Sequence, residues 1–385
     1  MNIALLSEKY TPDAGGLAIS TARLAGLLAA AGHSVHVFAP TLSLTASERR
    51  AFVLNGVHVT RFGAHKRVDN TLLDWFELVG EEHRRGSFDL IHAYFLPQAG
   101  FVAAYAGNYL RLPSVVSARG NDLERALFDP SRAAHILYAL ENASAVTANA
   151  NALARKASAL IPGLQVAVIP NGVDSEQFQP ALRNNTLAES LNLVSHGQAG
   201  QASRVIGFAG ELREKKGLRP LLNAYAQVIK QTPAMLLIVG DVRAGADSRT
   251  LEEFRQLHPD SQIVVTGFVS PGDLPAYYSV MDVFVQPSLR DGLPNALLEA
   301  MACGKAVIGS VAGGIPDAIT DSVDGRLIPV NSATALAQTL SELLVDEEQR
   351  HRLGEAARQT IRSRFTLQAE LDANMAVYRR LGLKL

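Results

Sequence analysis

The chain has 385 residues, 48% of them apolar and 19% charged, which excludes a disordered chain and, at ~150 residues per domain, suggests two or three domains. Its 36 Lys and Arg against 37 Asp and Glu leave a net charge of −1, less basic than a chain that wraps nucleic acid. The single cysteine, Cys303, excludes an internal disulfide and any multi-cysteine metal or iron–sulfur site, and suits a reducing compartment.

The chain begins Met-Asn-Ile-Ala-Leu-Leu-Ser-Glu, with no basic stretch ahead of the short apolar run, so it reads as a first strand and not as a signal peptide. Further strands are expected at 34–39, 57–62, 89–93, 114–117, 145–147 and 166–169, after the first at 2–6. Helical patterns at 17–31, 72–85 and 150–160 fall between several of them. A second series has strands at 205–208, 234–239, 262–265, 283–285, 306–308 and 326–328. Its helices are expected at 216–230, 250–257, 295–303 and 333–345. Strand and helix in alternation imply parallel sheets covered on both faces. The fold class is therefore α/β, with two Rossmann-like halves. The polar, small-residue stretch 181–203 marks the seam. The expected division is a first domain at 1–175, a linker at 176–203 and a second domain at 204–365, with the amphipathic helix at 366–385 returning to the first. Parallel sheets bind ligands outside the carboxyl ends of their strands. Two domains facing across a cleft would form a site by closing on it. No apolar run reaches the ~18 residues of a membrane span, so the cytoplasm is the expected location. Peripheral contact with the inner face of the membrane is left open.

Several motifs are absent. There is no Gly-x-Gly, no Walker lysine motif, no Gly-x-Ser-x-Gly elbow, no Asp-x-Asp and no His-Glu-x-x-His. A phosphate ligand would then be met by glycine pairs, helix N-termini and isolated cations. Four constellations offer these. Asp13-Ala14-Gly15-Gly16 follows the first strand and opens a helix, placing the Gly16 amide where an anion can approach. Its bland reading is an ordinary strand-to-helix turn. Gly210-Glu211-Leu212-Arg213-Glu214-Lys215-Lys216-Gly217 follows the first strand of the second series and carries cations suited to a diphosphate. The alternative there is a solvated charged loop. Ala118-Arg119-Gly120-Asn121-Asp122 lies at a strand's carboxyl end, or is a simple turn.

The most informative segment is Ser288 to Ala300, after a strand ending in Gln286-Pro287. Pro294 suits the first helical position, so Leu293, Asn295 and Ala296 would offer backbone donors to an anion. Asp291 and Glu299, eight positions apart, can flank one bound molecule and accept from vicinal hydroxyls. Glu299 sits among Leu and Ala, and a buried carboxylate needs a ligand or a fixed partner.

These residues resemble the retaining glycosyltransferases of family 4, which have the GT-B fold of two Rossmann-like domains. Asp291 to Gly304, continuing through Ala312-Gly313-Gly314-Ile315-Pro316, is similar to the family's acidic-x7-Glu motif, with Asp in the first place. Ile169-Pro170-Asn171-Gly172-Val173-Asp174 resembles the family's segment at the end of domain one, and Gly267-Phe268-Val269 its nucleobase loop. The resemblance makes the first domain the acceptor side and the second the nucleotide-sugar side. It implies that Glu299 holds the donor ribose. Asp291 with the amides of Gly292 and Leu293 would hold the donor sugar and phosphate. Lys216 would neutralise the leaving diphosphate, Gly16 would add an amide to it, and Gly210, Asn295, Phe268 and Val269 would complete the donor site. Glu211 stands where the family often has Arg, leaving Arg213 as the second cation. Arg119 stands where it commonly has His, and Arg cannot act as a general base. Asn121 and Asp122 are the acceptor-side candidates.

The expected activity is transfer of a sugar from a UDP- or GDP-sugar to an acceptor hydroxyl, with retention and without a metal or cofactor, in glycan or polysaccharide biosynthesis. The acceptor would be a sugar, a glycan or a lipid-linked molecule. The basic residues Arg49, Arg50, Lys66, Arg67, Arg84 and Arg85 would suit a membrane-surface acceptor, or simply solvent. Two alternatives remain at this level. One is a nucleotide-sugar epimerase or hydrolase on the same fold, and the other a non-catalytic sugar-nucleotide-binding subunit.

Overall fold

Continuous apolar runs become strands here because both faces of each sheet are covered. In the computed structural model, which describes residues 1–13, 15–46, 48–193 and 204–384, the chain divides into two units. The first comprises Met1–Asn171 and Leu367–Leu385, the second Gly172–Thr366.

The strands of the first unit are β1 (Asn2–Ser7), β2 (Ser34–Thr41), β3 (Arg49–Leu54), β4 (Val57–Gly63), β5 (Leu90–Tyr94), β6 (Ser114–Ala118), β7 (Ala145–Ala148) and β8 (Val166–Val168). They form one sheet in the order β3-β4-β2-β1-β5-β6-β7-β8, parallel except for the β3–β4 pair. Alternation along β1 feeds two cores: Ala4 and Leu6 pack on one face, Ile3 and Leu5 on the other. The sequence reading missed β3. Its charged start and edge position hide it, yet Asn55-Gly56, both at positive φ, make the tight turn into β4. The basic residues expected on a solvated face are partly neutralised: Arg49 pairs with Glu81, Arg67 with Asp69 and Arg85 with Glu82.

The second unit holds β9 (Arg204–Ala209), β10 (Ala234–Val239), β11 (Ile263–Val265), β12 (Val283–Gln286), β13 (Ala306–Ser310) and β14 (Arg326–Ile328). All are parallel, in the order β11-β10-β9-β12-β13-β14. The order reverses direction between β9 and β12. Such a switch point leaves an open crevice at the strands' carboxyl ends.

The boundary differs from the expected one. The first unit ends at Asn171, and Phe178, Ala188 and Leu193 are buried in the second unit's core. The segment 176–193 therefore belongs to the second unit and is no linker, because these apolar side chains gain more from burial than from solvent. Helix Asn185–Ser190 is capped by Asn184, whose side chain accepts from Leu187 N. The remainder of the expected linker, 194–203, lies outside the described residues. The carboxyl-terminal helix Leu367–Arg380 packs on the first unit. Tyr378 Oη meets buried His92 Nδ1 at 2.7 Å, and Arg23 Nε donates to Glu370 at 2.6 Å. Among the described residues no helix is long and apolar enough to cross a membrane.

Candidate functional site

The switch point of the second unit gathers the strongest sequence candidates. The loop after β9 is shaped by glycine: Gly210 has φ +116° and Gly217 φ +86°. A Cβ on Gly217 would stand 2.0 Å from the Pro287 carbonyl oxygen, so only glycine lets the loop press against the end of β12. The helix expected from residue 216 begins two residues later, at Leu218–Val228, because Gly217 in the left-handed region ends the short turn Glu214–Lys216. That turn delivers Lys216 to the loop after β12, where its ammonium pairs with Asp291.

Asp291 is buried and held from several sides. Its Oδ2 accepts from Lys216 and from Ser288 Oγ at 3.2 Å, and Gln286 Nε2 donates to Ser288 Oγ at 2.8 Å. Its Oδ1 accepts from the Gly292 amide at 3.1 Å. Burial pushes the carboxyl up, but the charges of Lys216 and Lys215 with the hydrogen bonds from Lys216 and Ser288 hold it below the usual carboxylate range. Asp291 is thus ionised, and among the described residues Gln286 Oε1 is a buried acceptor without a partner. Gly313 at φ +55° lets its backbone cross close to the Asp291 carbonyl, and Gly314 N donates to Gly292 O at 2.8 Å.

Three expectations change here. Pro294 is extended, with φ −69° and ψ 125°, so it precedes helix Asn295–Ala302 and Asn295 is the first helical residue. The Gly292 amide, expected on the donor, serves Asp291. Arg213, the candidate second cation, is paired with Glu211 at 3.1 Å, and Arg243 stands 3.8 Å from the same carboxylate. The charge of Glu211 is thereby answered within its own loop.

Glu299 has the fixed partner its surroundings demand. Tyr278 Oη, fully buried on helix Leu274–Ser279, donates to Glu299 Oε2 at 2.7 Å. Burial and the Glu299 charge push the Tyr278 hydroxyl well above its ordinary value, so it remains a donor. The sequence reading missed Tyr278, since a tyrosine on a short helix carries no distinguishing pattern. After β11, Phe268 is 76% exposed while Val269 packs on the core, so the two residues assigned to one loop face differ in role. Gly210, whose amide donates to Val239 O at 2.8 Å, contributes shape and not a donor.

In the first unit, Gly15 caps helix Gly16–Ala30 with φ +117°, and Gly16 is its first residue; Ala14 lies outside the described residues. The turn before it is clamped by a residue sequence reading overlooked. Buried Arg61 donates to Tyr10 O at 2.8 Å, to Pro40 O at 3.1 Å and to both oxygens of Asp13 at 2.9 and 3.1 Å. Arg119 lies over the Tyr94 ring at 4.3 Å, with Nη2 on Asn171 Oδ1 at 2.6 Å. Asp122 is fully buried and accepts the amides of Arg119, Gly120 and Leu123 at 2.8 to 3.0 Å, so it caps the turn and is not available to an acceptor. Asn121 begins helix Asn121–Glu124.

Comparison with known proteins follows this division. The family model described as Glycosyltransferase Family 4 matches residues 14–177, and that of Glycosyl transferases group 1 matches 196–360. The chain is 24% identical to N-acetyl-alpha-D-glucosaminyl L-malate synthase of Bacillus anthracis over 95% of its length and 94% of that protein's. It is 26% identical to the GDP-mannose-dependent alpha-mannosyltransferase of Corynebacterium glutamicum, over 93% of this chain and 84% of that one. Its fold matches sucrose-phosphate synthase of Thermosynechococcus elongatus with a TM-score of 0.84 at 24% identity, over 99% of both chains. With matched models on both units and the GT-B fold, the chain belongs to family 4 of the glycosyltransferases.

Proposed function

We propose that this glycosyltransferase takes a UDP- or GDP-sugar as donor, transfers the sugar with retention of anomeric configuration, and needs no metal. The observation that carries the reading is the contact of Lys216 with ionised Asp291 at the switch point of the second unit. Three donors belong to an ammonium, and Asp291 uses one, which leaves the others for diphosphate oxygens. The charge that develops on the leaving diphosphate then meets a cation already fixed in place, the arrangement that costs no reorganisation during reaction. Asp291 supplies acceptors for sugar hydroxyls, and Glu299, oriented by Tyr278, supplies one for the ribose. Phe268 offers an exposed aromatic face to a nucleobase. The relative from Corynebacterium glutamicum is named for GDP-mannose, in keeping with a nucleotide-sugar donor.

In the reaction the bond from the anomeric carbon to the phosphate oxygen breaks and a bond to the acceptor oxygen forms on the same face. The acceptor's proton passes to the departing phosphate oxygen, so no protein base is required and Arg119 need not serve as one. The test is thermal shift with UDP, GDP and a panel of their sugars, with and without EDTA. Stabilisation by one nucleotide, lost in Glu299→Ala, supports the reading. No stabilisation by any of them refutes it.

A further inference from the structure

A chain of hydrogen bonds runs from the last residue of β12 to Lys216. Gln286 Nε2 donates to Ser288 Oγ at 2.8 Å, Ser288 Oγ donates to Asp291 Oδ2 at 3.2 Å, and the same oxygen meets the Lys216 ammonium. Gln286 and Ser288 are both buried. Chemistry fixes the direction of the chain. A serine hydroxyl has one hydrogen, and an ionised carboxylate is a stronger acceptor than an amide oxygen. The hydrogen therefore goes to Asp291, and Ser288 presents a lone pair to Gln286, which turns its amide nitrogen toward it. The consequence is visible at the other end of the amide, where Gln286 Oε1 is buried and, among the described residues, without a partner. A buried acceptor left unpaired costs stability. In return Ser288 has a donor that keeps its own hydrogen on Asp291.

The backbone under this chain is anchored. Gln286 lies in β12, in register with Gly309 of β13. The next residue of β13, Ser310, donates its hydroxyl to the Ser288 carbonyl. Leu289 N donates to Lys215 O at 2.9 Å, which ties the loop after β12 to the turn that carries Lys216. The Ser288 hydroxyl thus reaches Asp291 from a backbone held on both sides.

We propose that Ser288 and Gln286 are positioning residues for sugar transfer: Ser288 holds the Asp291 carboxylate in the orientation that serves the donor sugar and Lys216, and Gln286 acts only through Ser288. The proposal rests on the donor reading above. Both residues are closed to solvent, so they act without touching the donor. The first experiment needs no ligand. In full-length protein isotopically labelled at the aspartate carboxyls, carbon-detected NMR follows the Asp291 carboxyl, identified by its absence in Asp291→Asn. The Ser288 hydrogen bond helps to hold this carboxyl low, after the charges of Lys216 and Lys215 and the hydrogen bond from Lys216. Ser288→Ala moves its titration to higher pH, and Gln286→Met does so by less. Gln286→Met added to Ser288→Ala changes nothing further. The second experiment is calorimetric titration with UDP-glucose against UDP and with GDP-mannose against GDP. Ser288→Ala weakens the nucleotide sugar that binds by roughly tenfold while its free nucleotide stays within about threefold, and Ser288→Thr, which keeps the hydroxyl, restores the affinity. Melting midpoints show that each variant is folded. If Ser288→Ala does not fold, Gln286→Met carries the test, since it leaves Ser288 and Asp291 in place. An Asp291 titration left unmoved by Ser288→Ala overturns the proposal. So does an effect of Gln286→Met that persists on top of Ser288→Ala, and so does an equal loss of nucleotide and nucleotide sugar, which would make the two residues structural. Wild-type protein that binds none of the four ligands refutes the donor reading instead, and the carboxyl titration still decides the relay.

Discussion

Replacing Glu8 by Gln tests whether a half-buried carboxyl at the end of β1 works against folding at neutral pH. Burial raises this carboxyl from 4.5 to about 7; the amides of Gln98 and Ala99 and the charge of Arg132 pull it down, and the Asp122 charge pushes it up. The folded protein therefore keeps the Glu8 proton over a range where the unfolded chain has lost it. The resulting stabilisation is complete below pH 4.5 and disappears as pH rises through about 7. The gap corresponds to ~3 kcal/mol. Gln retains the shape and the acceptor for Gln98 N–H but cannot ionise. Glu8→Gln is expected to match wild type near pH 4.5 and to exceed it by up to ~3 kcal/mol at pH 8.5. For a unit of this size that is roughly 6–10 °C in midpoint. The chain's single tryptophan, Trp75, is fully buried in the first unit, so its fluorescence reports on that unit's unfolding. Melting curves at the two pH values give the answer, and a midpoint difference between variant and wild type that is independent of pH refutes the reasoning.

Other outcomes follow from the same contacts. Lys216→Met leaves Asp291 buried without its cation and should lower the sugar-transfer rate by about 10²–10³-fold; a rate within threefold of wild type would remove Lys216 from the leaving-group site. Tyr278→Phe deletes the donor to Glu299 and should weaken UDP-sugar binding roughly tenfold by calorimetry, whereas unaltered affinity would separate Glu299 from the donor. Glu370→Ala breaks the buried pair with Arg23 and should cost about 3–5 kcal/mol in Trp75-monitored denaturation, with part regained in Arg23→Met/Glu370→Met. Transfer activity should survive about 5 mM EDTA unchanged, and its abolition would contradict a metal-free reaction.

Most of the architecture could be read from the chain because its signals are local. Runs such as 234–239 alternate between two cores, so every position is apolar and the strand is evident without a partner. Helix Glu347–Arg364 is hard to read for the opposite reason. Its buried stripe is only Arg350, Leu353, Gly354, Ala357 and Ile361, and Gly354 is there because a Cβ would stand 2.1 Å from Gly304 O. Its start was nonetheless written in the chain, since Asp346 caps the Gln349 amide three residues on. The candidate site divides in the same way. Asp291, Glu299 and Lys216 stand out by type and spacing. Tyr278, which supports Glu299, and Arg61, which clamps the Asp13 turn, do not, because each acts through a contact distant in sequence: Tyr278 reaches Glu299 across 21 positions, and Arg61 reaches Asp13 across 48. Asp122 shows the converse, a conspicuous carboxylate whose partners are the amides beside it.

The pairing of Lys216 with Asp291 bears on why the substitution at Glu211 need not disable the site. An acid placed beside a diphosphate would oppose the leaving group if its charge were unanswered. Here Glu211 is half exposed and shared by Arg213 and Arg243, so its field is screened by solvent and by two guanidinium groups. Lys216 faces a buried acid instead, in surroundings where charges interact more strongly than they do in water. Asp291 therefore has two roles from one position. In the proposed reaction it offers oxygens to a bound sugar, and its pairing holds the Lys216 ammonium beside the leaving group. Glu211 could then be replaced by Arg with little gain, whereas replacing Asp291 by Asn would weaken both functions together.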